Sequence, residues 1–385
     1  MLDPLLIALG LGYVGAVAWL LLGLRRCAAW SPVSASPAGT SDLPGVSVIV
    51  AARDEEAGVA DCLACLRAQA YGGPLEIVLV DDGSSDRTGE IARDEMARAE
   101  AERAPIAVQV LHAPEPPVYA CRKKSALAAG IAASTGSLLL FTDADCRPPP
   151  DWVAAMVGSF GDGVGLVAGY ATRQGGRGIR RGLVQLDNLM VAALGAGSAG
   201  MGAALSCTGR SFAYRRVVYD QVGGFEPIGH LTGGDDVFFA RLATGETSWR
   251  LVYCLHPEAA VVSDAGPSSL GGLVHQKLRH AAKAGQYRGA ARLSGSLTYL
   301  FHFALFLAAL RALGWGHDPT VLAAVWGGKW VADAVLLAQM GRLVGERPRL
   351  ALLPLLEAWY IPYVLLFTIA GRLGWYRWKG APASA

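Results

Sequence analysis

The chain has 385 residues, of which 52% are hydrophobic and 17% are charged, and its formal net charge at pH 7 is +2. This apolar content exceeds what one soluble domain needs and predicts membrane segments beside a globular domain. Because the net charge is small and no dense basic stripe appears, we exclude a nucleic-acid partner.

The first apolar segment, Pro4 to Leu24, is uncharged over about 21 residues, which is enough to cross a hydrocarbon core roughly 30 Å thick. A signal peptide would carry basic residues before its apolar run, whereas here Asp3 precedes it and Arg25 and Arg26 follow. By the positive-inside rule the N-terminus lies outside and the next domain in the cytoplasm. We therefore expect an anchor over residues 1–30 of a multi-pass protein of the inner (plasma) membrane.

A linker over residues 31–45 is indicated by its Ser, Pro, Gly and Ala content. Three apolar runs with acidic ends follow it. They begin at Val46, Leu75 and Leu138, and they end at the sequences ARDEE, DDGSSD and TDADC. Strand, acidic turn and helix is the order of βαβ units, which predicts an α/β fold with a mostly parallel sheet. The carboxylates should then meet at one edge of that sheet, where open α/β sheets bind ligands.

Asp143 and Asp145 stand one residue apart at the end of the third run. Side chains at i and i+2 of a strand point the same way, so both carboxylates can reach one hard cation such as Mg²⁺ or Mn²⁺. Two protein ligands leave positions open for phosphate oxygens, which favours a nucleotide diphosphate as the guest. A D-x-D pair by itself also occurs in surface loops and helix caps, so the neighbouring motifs decide its meaning.

Eight partial motifs occur in an order that resembles the inverting nucleotide-sugar glycosyltransferases of family 2, which have the GT-A fold. The motifs are VSVIVAARDEE, VLVDDGSSDRT, RKKSALAAGI, TDAD, GRSFAYRR, VGGF, GGDD and QKLRH. The resemblance implies a division of the remaining chain into four parts: a cytosolic GT-A catalytic domain over 46–265, an interfacial helix region with a QxxR motif over 266–293, membrane segments over 294–375, and a tail over 376–385.

The resemblance also implies residue roles. Asp145, with Asp143, would bind the metal, and Asp236 would be the general base, with Asp235 holding the acceptor or its neighbours; a shift of one residue would exchange these last two. Nucleotide-sugar binding would involve Ala51, Glu55, Asp81, Asp82, Lys123, Asp143 and Arg279, with Lys123 meeting a phosphate. Gln276 and His280 would line the acceptor side, although His280 stands where the family carries Trp.

Local alternatives exist for three of these acids. Asp82 begins D-G-S-S-D, which is also good turn chemistry, and Asp235 and Asp236 precede a predicted helix whose N-terminus favours carboxylates. Either role is compatible with the other.

Three further apolar segments follow, namely Leu297 to Leu313, Val321 to Val344 and Leu350 to Ile369. The basic residues at their ends favour neither two nor three spans. Lys329 and Asp333 are spaced to pair on one helix face of the middle segment, and Glu357 lies in the last. These groups predict a functional site within the membrane, a neutralised structural pair or a re-entrant segment. The seven cysteines include one C-x-x-C pair, Cys62 and Cys65, and are expected to be reduced.

The expected activity is transfer of a hexose from a UDP-glucose-like donor to a membrane lipid. The layout resembles ceramide glucosyltransferases and related bacterial lipid glycosyltransferases. The acceptor groove should lie between the catalytic domain and the C-terminal segments, with Asp236, Gln276 and His280 near its inner end. One alternative is a processive polysaccharide synthase working as an oligomer or with a partner pore. Another is a catalytically silent scaffold, since Arg210 and Ser211 depart from a G-x-N-like motif.

Overall fold

The structure is a computed structural model, and it describes residues 2–30, 43–173, 178–263, 270–282, 286–287, 289–373, 375, 377–378 and 381–382. The predicted linker lies almost wholly outside these residues, as does most of the predicted tail. Within them, the strands between residues 43 and 263 are β1 (Val46–Ala52), β2 (Leu75–Asp81), β3 (Ala107–His112), β4 (Leu138–Asp143), β5 (Cys146–Arg147), β6 (Val164–Gly169), β7 (Ala171–Arg173), β8 (Phe212–Arg215), β9 (Arg250–Cys254) and β10 (Val261–Ser263).

The main sheet of the described residues has seven strands in the order β3-β2-β1-β4-β8-β6-β9. Only β8 runs antiparallel to its neighbours, so the predicted α/β fold with a mostly parallel sheet is confirmed. The sheet is buried on both faces. Ile49 and its partner Val78 face one core layer, whereas Val48 and Ile77 face the other, as the alternation of side chains along a strand requires. A smaller sheet pairs β10 with β5 and β7.

Helices cover both faces of the main sheet and continue beyond it. They are α1 (Leu2–Trp30), α2 (Val59–Arg67), α3 (Thr88–Ala101), α4 (Arg122–Ala133), α5 (Trp152–Gly158), α6 (Gly178–Gly200), α7 (Arg216–Gln221), α8 (Val237–Glu246), α9 (Leu270–Ala282), α10 (Gly289–Trp315), α11 (Thr320–Leu343), α12 (Leu353–Pro362) and α13 (Thr368–Arg372). A short pair, β11 (Arg377–Trp378) and β12 (Ala381–Pro382), lies in the tail.

Four stretches of the described residues are helical, long and apolar enough to cross a membrane, which indicates a membrane protein. They are α1, most of α10, α11 and the segment Leu350–Gly371. The four apolar segments expected from the sequence are therefore helices. The last one is irregular, because Pro362 lies inside it and the backbone widens to a π-helical turn over Tyr363–Phe367.

The predicted anchor helix α1 packs first against the apolar helix α10 and then against α6. Leu6 is buried against Phe301 and other side chains of α10. Further along α1, a methyl group at Gly23 would clash with the backbone carbonyl of Gly197 in α6, so the two helices approach closely at these glycines. The anchor, α6 and α11 thus share one hydrophobic core with the main sheet.

The predicted pairing of Lys329 with Asp333 is confirmed. Lys329 Nζ donates to Asp333 Oδ2 at 2.7 Å and also to Glu357, and the Tyr13 hydroxyl donates to Asp333 Oδ1 at 2.8 Å. The cluster is buried and connects α1, α11 and α12. The cysteines are free thiols, as expected, and Cys62 and Cys65 lie in α2.

Candidate active site

The predicted metal-binding carboxylates lie together at the carboxyl edge of the main sheet. Ligand atoms of Asp143, Asp145 and Cys146 all lie within 4.8 Å of one another. The reason differs from the expected one, because β4 ends at Asp143 and Asp145 belongs to the turn that follows. The turn, and not strand alternation, therefore brings the second carboxylate to the first.

The electrostatics of this pair fit a divalent cation. Burial and the charge of Asp143 raise the pKa of Asp145, which is the signature of two acids that repel each other. Burial also raises the pKa of Cys146, whose thiol donates to Asp145 Oδ1 at 3.4 Å. A neutral thiol is a poor ligand for Mg²⁺ or Mn²⁺, so the two carboxylates are the residues that would hold the ion.

Lys123, at the start of α4, joins the two acidic motifs. Its Nζ lies 2.7 Å from Asp143 Oδ1 and 3.2 Å from Asp235 Oδ2. Burial by itself lowers the pKa of Lys123, but the carboxylates of Asp143 and Asp235 outweigh burial and raise it, so the amine is charged. The sequence predicted a phosphate contact for Lys123, and the structure places its amine between carboxylates.

Asp236 caps helix α8. Its Oδ1 accepts from the N–H of Val237 at 2.7 Å and its Oδ2 accepts from the N–H of Gly209 at 3.1 Å. The capping alternative is thus observed, and it also fixes the carboxylate at the site beside Asp235. A Cβ at Gly209 would lie in ordinary van der Waals contact with Asp235 Oδ2 and Lys123 Nζ, both at 3.4 Å, so Gly209 is close to this group of charges.

The loops after β1 and β2 form the side predicted to bind the nucleotide. The turn role considered for Asp82 belongs to Asp81, whose Oδ1 accepts from Ser84 N at 3.0 Å and from Ser84 Oγ at 2.6 Å. Asp82 instead accepts from Arg122 Nε at 3.2 Å. Burial raises the pKa of Asp82, and Arg122 opposes that rise.

Two other predicted positions hold these loops in place. The N–H of Glu55 donates to Thr88 Oγ1 at 2.7 Å, which links the two loops. Ala51 pairs with Asp143 across β1 and β4, so a small residue stands next to the predicted metal-binding carboxylate.

Arg173 and Arg210 belong to the site and were not predicted for it. Arg210 Nη1 donates to Ser263 Oγ at 3.0 Å. The positive charges of Arg210 and Arg173 both act to lower the pKa of Asp145. Burial and then the charge of Arg210 lower the pKa of Arg173. From the sequence, Arg210 is noted only because it departs from the G-x-N-like motif. No local motif marks Arg173, because the pairing of β7 with β10 brings it to the site.

The predicted acceptor side lies where α9 meets α6 and the last apolar segment. Gln276 Oε1 accepts from Arg173 Nη1 at 2.9 Å. The next residue, Lys277, donates to Asp187 Oδ2 at 2.5 Å, and its Nζ lies 5.6 Å from the centre of the Tyr363 ring. Arg279 and His280 fall in α9, but their side chains lie outside the described residues.

Part of the chain matches a family model. Residues 47–223 match glycosyl transferase family 2. Across nearly its whole length, the chain is similar in fold to the mannosyltransferase PcManGT of Pyrobaculum calidifontis, solved with GDP-Man and Mn²⁺. The TM-score is 0.60 at 22% identity, covering 97% of this chain and 99% of that chain. The stretch 47–223 is therefore similar to family 2, and the GT-A fold implied by the sequence is confirmed.

Curated relatives match part of the chain. Glycosyltransferase AglE of Haloferax volcanii is 35% identical over 133 residues, which are 34% of this chain and 40% of that one. An undecaprenyl-phosphate 4-deoxy-4-formamido-L-arabinose transferase of Pseudomonas aeruginosa is 31% identical over 151 residues, covering 38% and 41%. An N-acetylglucosaminyltransferase of Rhizobium leguminosarum bv. viciae is 32% identical over 192 residues, covering 48% and 43%.

The chain thus spans about two fifths of the length of these curated relatives. Their names do not single out the ceramide glucosyltransferases, so the resemblance to that subgroup stays a prediction.

Proposed function

We propose that this chain, whose residues 47–223 match glycosyl transferase family 2, is a membrane-embedded inverting glycosyltransferase. Its donor is a nucleotide sugar, UDP-glucose-like, and its acceptor is a membrane lipid reached from the cytoplasmic face of the inner membrane. One observation carries the lipid assignment. Gln276 contacts Arg173 of the acidic site, and the next residue, Lys277, contacts Asp187 and Tyr363 of the helices around the last apolar segment.

The donor would be held at the edge of the sheet. Asp143 and Asp145 would hold Mg²⁺ or Mn²⁺, which when bound neutralises the leaving diphosphate. Arg173 and Arg210 add fixed positive charge beside Asp145, where they can contact phosphate oxygens through several donors each. Lys123 keeps Asp143 and Asp235 in one arrangement despite their like charges.

Asp236 would accept the proton of the acceptor hydroxyl as it attacks the sugar. The N–H groups of Gly209 and Val237 orient this carboxylate. A carboxylate has about four lone-pair sites, so two such bonds do not exhaust its capacity to accept a proton. Inversion needs only a base opposite the leaving group, so no covalent intermediate is required.

The relatives support lipid acceptors as a class, since one of them is named for transfer to undecaprenyl phosphate. An apolar tail that stays in the bilayer avoids an extraction cost of about 0.8 kcal/mol per methylene. A groove between the catalytic domain and the C-terminal segments would allow this.

The test is transfer of radiolabelled sugar by the full chain in native membranes, followed by organic extraction. Label in the organic phase, absent in Asp145→Asn, supports lipid glycosylation. Label in an ethanol-insoluble polymer would favour the polysaccharide synthase instead. No transfer from UDP- or GDP-sugars, with intact donor binding, would favour the silent scaffold.

A further inference from the structure

A second cavity lies away from the acidic site, where the C-terminal end of α1 meets the catalytic domain. It has a volume of about 530 Å³. Its walls come from the end of α1, the end of α6, and the segment that joins α8 to β9. None of the candidate catalytic or donor-binding residues lines it, so it has no part in the proposed reaction.

The cavity is lined by positive charge. Arg26 and Arg250 line it, and none of its described lining residues is acidic. Arg26 Nη1 contacts only the thioether of Met201, a weak acceptor, at 3.3 Å. The Arg250 guanidinium lies 4.4 Å from the centre of the Trp30 ring and donates to the carbonyl of Asp162. Within the described part of the chain, neither guanidinium has a carboxylate partner.

The end of α6 would repel an anion if its last carbonyls pointed unpaired into the cavity. Two of them are paired, because Ser198 O accepts from Met201 N and Ala203 N, and Ala199 O accepts from Gly202 N. Ser248, also in the wall, adds a hydroxyl. The chemistry of the cavity is therefore that of an anion site with two guanidinium forks.

The position of the cavity along α1 indicates where the anion comes from. Leu22 is the last large aliphatic side chain of α1 with high exposure, at 44%. At 1.5 Å per residue, Arg26 lies about 6 Å and Trp30 about 12 Å beyond it along the axis. Phospholipid headgroups occupy roughly 5–8 Å on each side of the hydrocarbon core. Arg26 and Trp30 are also four residues apart, on one face of the helix, and Trp and Arg favour this layer.

We propose that this cavity binds the phosphate-bearing headgroup of an anionic phospholipid of the adjoining leaflet. Arg26 and Arg250 contact the phosphate, and Trp30 lies at the boundary between headgroup and water. Because Arg26 belongs to the anchor and Arg250 to the catalytic domain, one lipid holds both in a single orientation. This lipid is distinct from the acceptor.

Gly202 offers a matched pair of variants for the test. It lines the cavity, has φ +77°, and a Cβ added there meets nothing within 4 Å. Asp and Asn are among the side chains that adopt this conformation most readily, so Gly202→Asp and Gly202→Asn carry similar strain and differ mainly by one negative charge.

The measurement is native mass spectrometry of the full chain titrated with phosphatidylglycerol or phosphatidylcholine. We expect wild type and Gly202→Asn to retain one phosphatidylglycerol in preference to phosphatidylcholine. Gly202→Asp should bind phosphatidylglycerol with an affinity lower by roughly tenfold or more, as loss of one charge-assisted contact predicts. Arg26→Gln should weaken it similarly, whereas Arg25→Gln, whose side chain is exposed and outside the cavity, should not.

Equal retention by Gly202→Asp and Gly202→Asn would overturn the proposal. So would an equal loss in Arg25→Gln, which would point to general surface charge. Displacement of the lipid by equimolar inorganic phosphate or glycerol phosphate would show that the site serves a soluble phosphate and not a lipid.

Discussion

Lys123 Nζ donates to Asp143 Oδ1 at 2.7 Å, so the lysine of α4 is paired with a predicted metal-binding carboxylate of β4. The same amine also lies 3.2 Å from Asp235 Oδ2, so it bridges the two carboxylates. The next lysine in the chain has a different environment. Lys124 is buried and donates to the carbonyls of Ile228 and Leu231.

Lys123→Met should therefore lower the transfer rate without weakening Mn²⁺ binding, since removal of a neighbouring positive charge favours a cation on Asp143. Isothermal titration calorimetry would measure the metal affinity. Lys124→Met is the contrast: it should leave metal affinity unchanged and destabilise the fold by roughly 1–3 kcal/mol, because buried carbonyls lose their donor. Weaker Mn²⁺ binding in Lys123→Met would contradict this view of the site.

Asp145→Asn should abolish turnover and remove the divalent-ion dependence of nucleotide binding, while the fold stays intact. The physical reason is that an amide oxygen replaces one of two anionic ligands. Equilibrium binding of a fluorescent nucleotide with and without EDTA would measure the effect. Wild-type activity that persists in EDTA would rule out the metal.

Asp236→Asn should reduce the transfer rate far more than it reduces donor affinity, because a proton acceptor acts in the transition state. The amide keeps the shape of the N-cap, so the helix should persist. The matched variant is Asp235→Asn. If Asp236→Asn kept the wild-type transfer rate and Asp235→Asn lost it, the two roles would be exchanged.

Glu76 should make stability depend on pH. Burial by itself raises its pKa, but hydrogen bonds from Ser47, Thr135 and Gly136 outweigh burial and lower it. Because the pKa of Glu76 is lower in the folded state, its ionised form stabilises the fold at pH values above the unfolded-state pKa. This stability is lost as the pH falls through the folded-state pKa. Glu76→Gln should cost roughly 0.5–1.5 kcal/mol at pH 7, since solvent screens this partly exposed carboxylate, and less in acid. Thermal melts at both pH values would measure this, and a pH-independent cost would refute it.

The last apolar segment should be re-entrant, with the C-terminus on the side of the catalytic domain. Arg349, just before it, donates to Gly178 O of α6, and Gly371, near its end, packs against Leu278 and Ala282 of α9. Both ends therefore contact helices next to the acidic site. This arrangement also places the terminal basic residues inside.

Single cysteines in a background without the native ones, labelled from each side of sealed vesicles, would measure the topology. Ser384→Cys should react from the same side as Asp94→Cys in the catalytic domain. His317→Cys, between α10 and α11, should react from the other side. If Ser384→Cys were labelled from the same side as His317→Cys, a third C-terminal span would be established.

Local pattern was enough to predict much of the fold. The runs at Val46, Leu75 and Leu138 became parallel strands, the apolar segments became long helices, and Asp143 and Asp145 came to one site. These features depend on hydrophobic periodicity and on the ends of strands, which neighbouring residues determine. The family motifs added Lys123, Asp235 and Asp236, which the structure brings into contact or close approach.

Only the tertiary structure showed what depends on contacts between distant segments. Arg173 and Arg210 reach Asp145 because β7 pairs with β10, and Gln276 meets Arg173 because α9 folds back onto that sheet. Likewise, Arg26 and Arg250 share a cavity because α1 packs closely on α6. The sequence determined which side chains lie at the ends of strands and helices. Which of those ends meet is decided by packing over long separations, for which a single sequence carries no local signal.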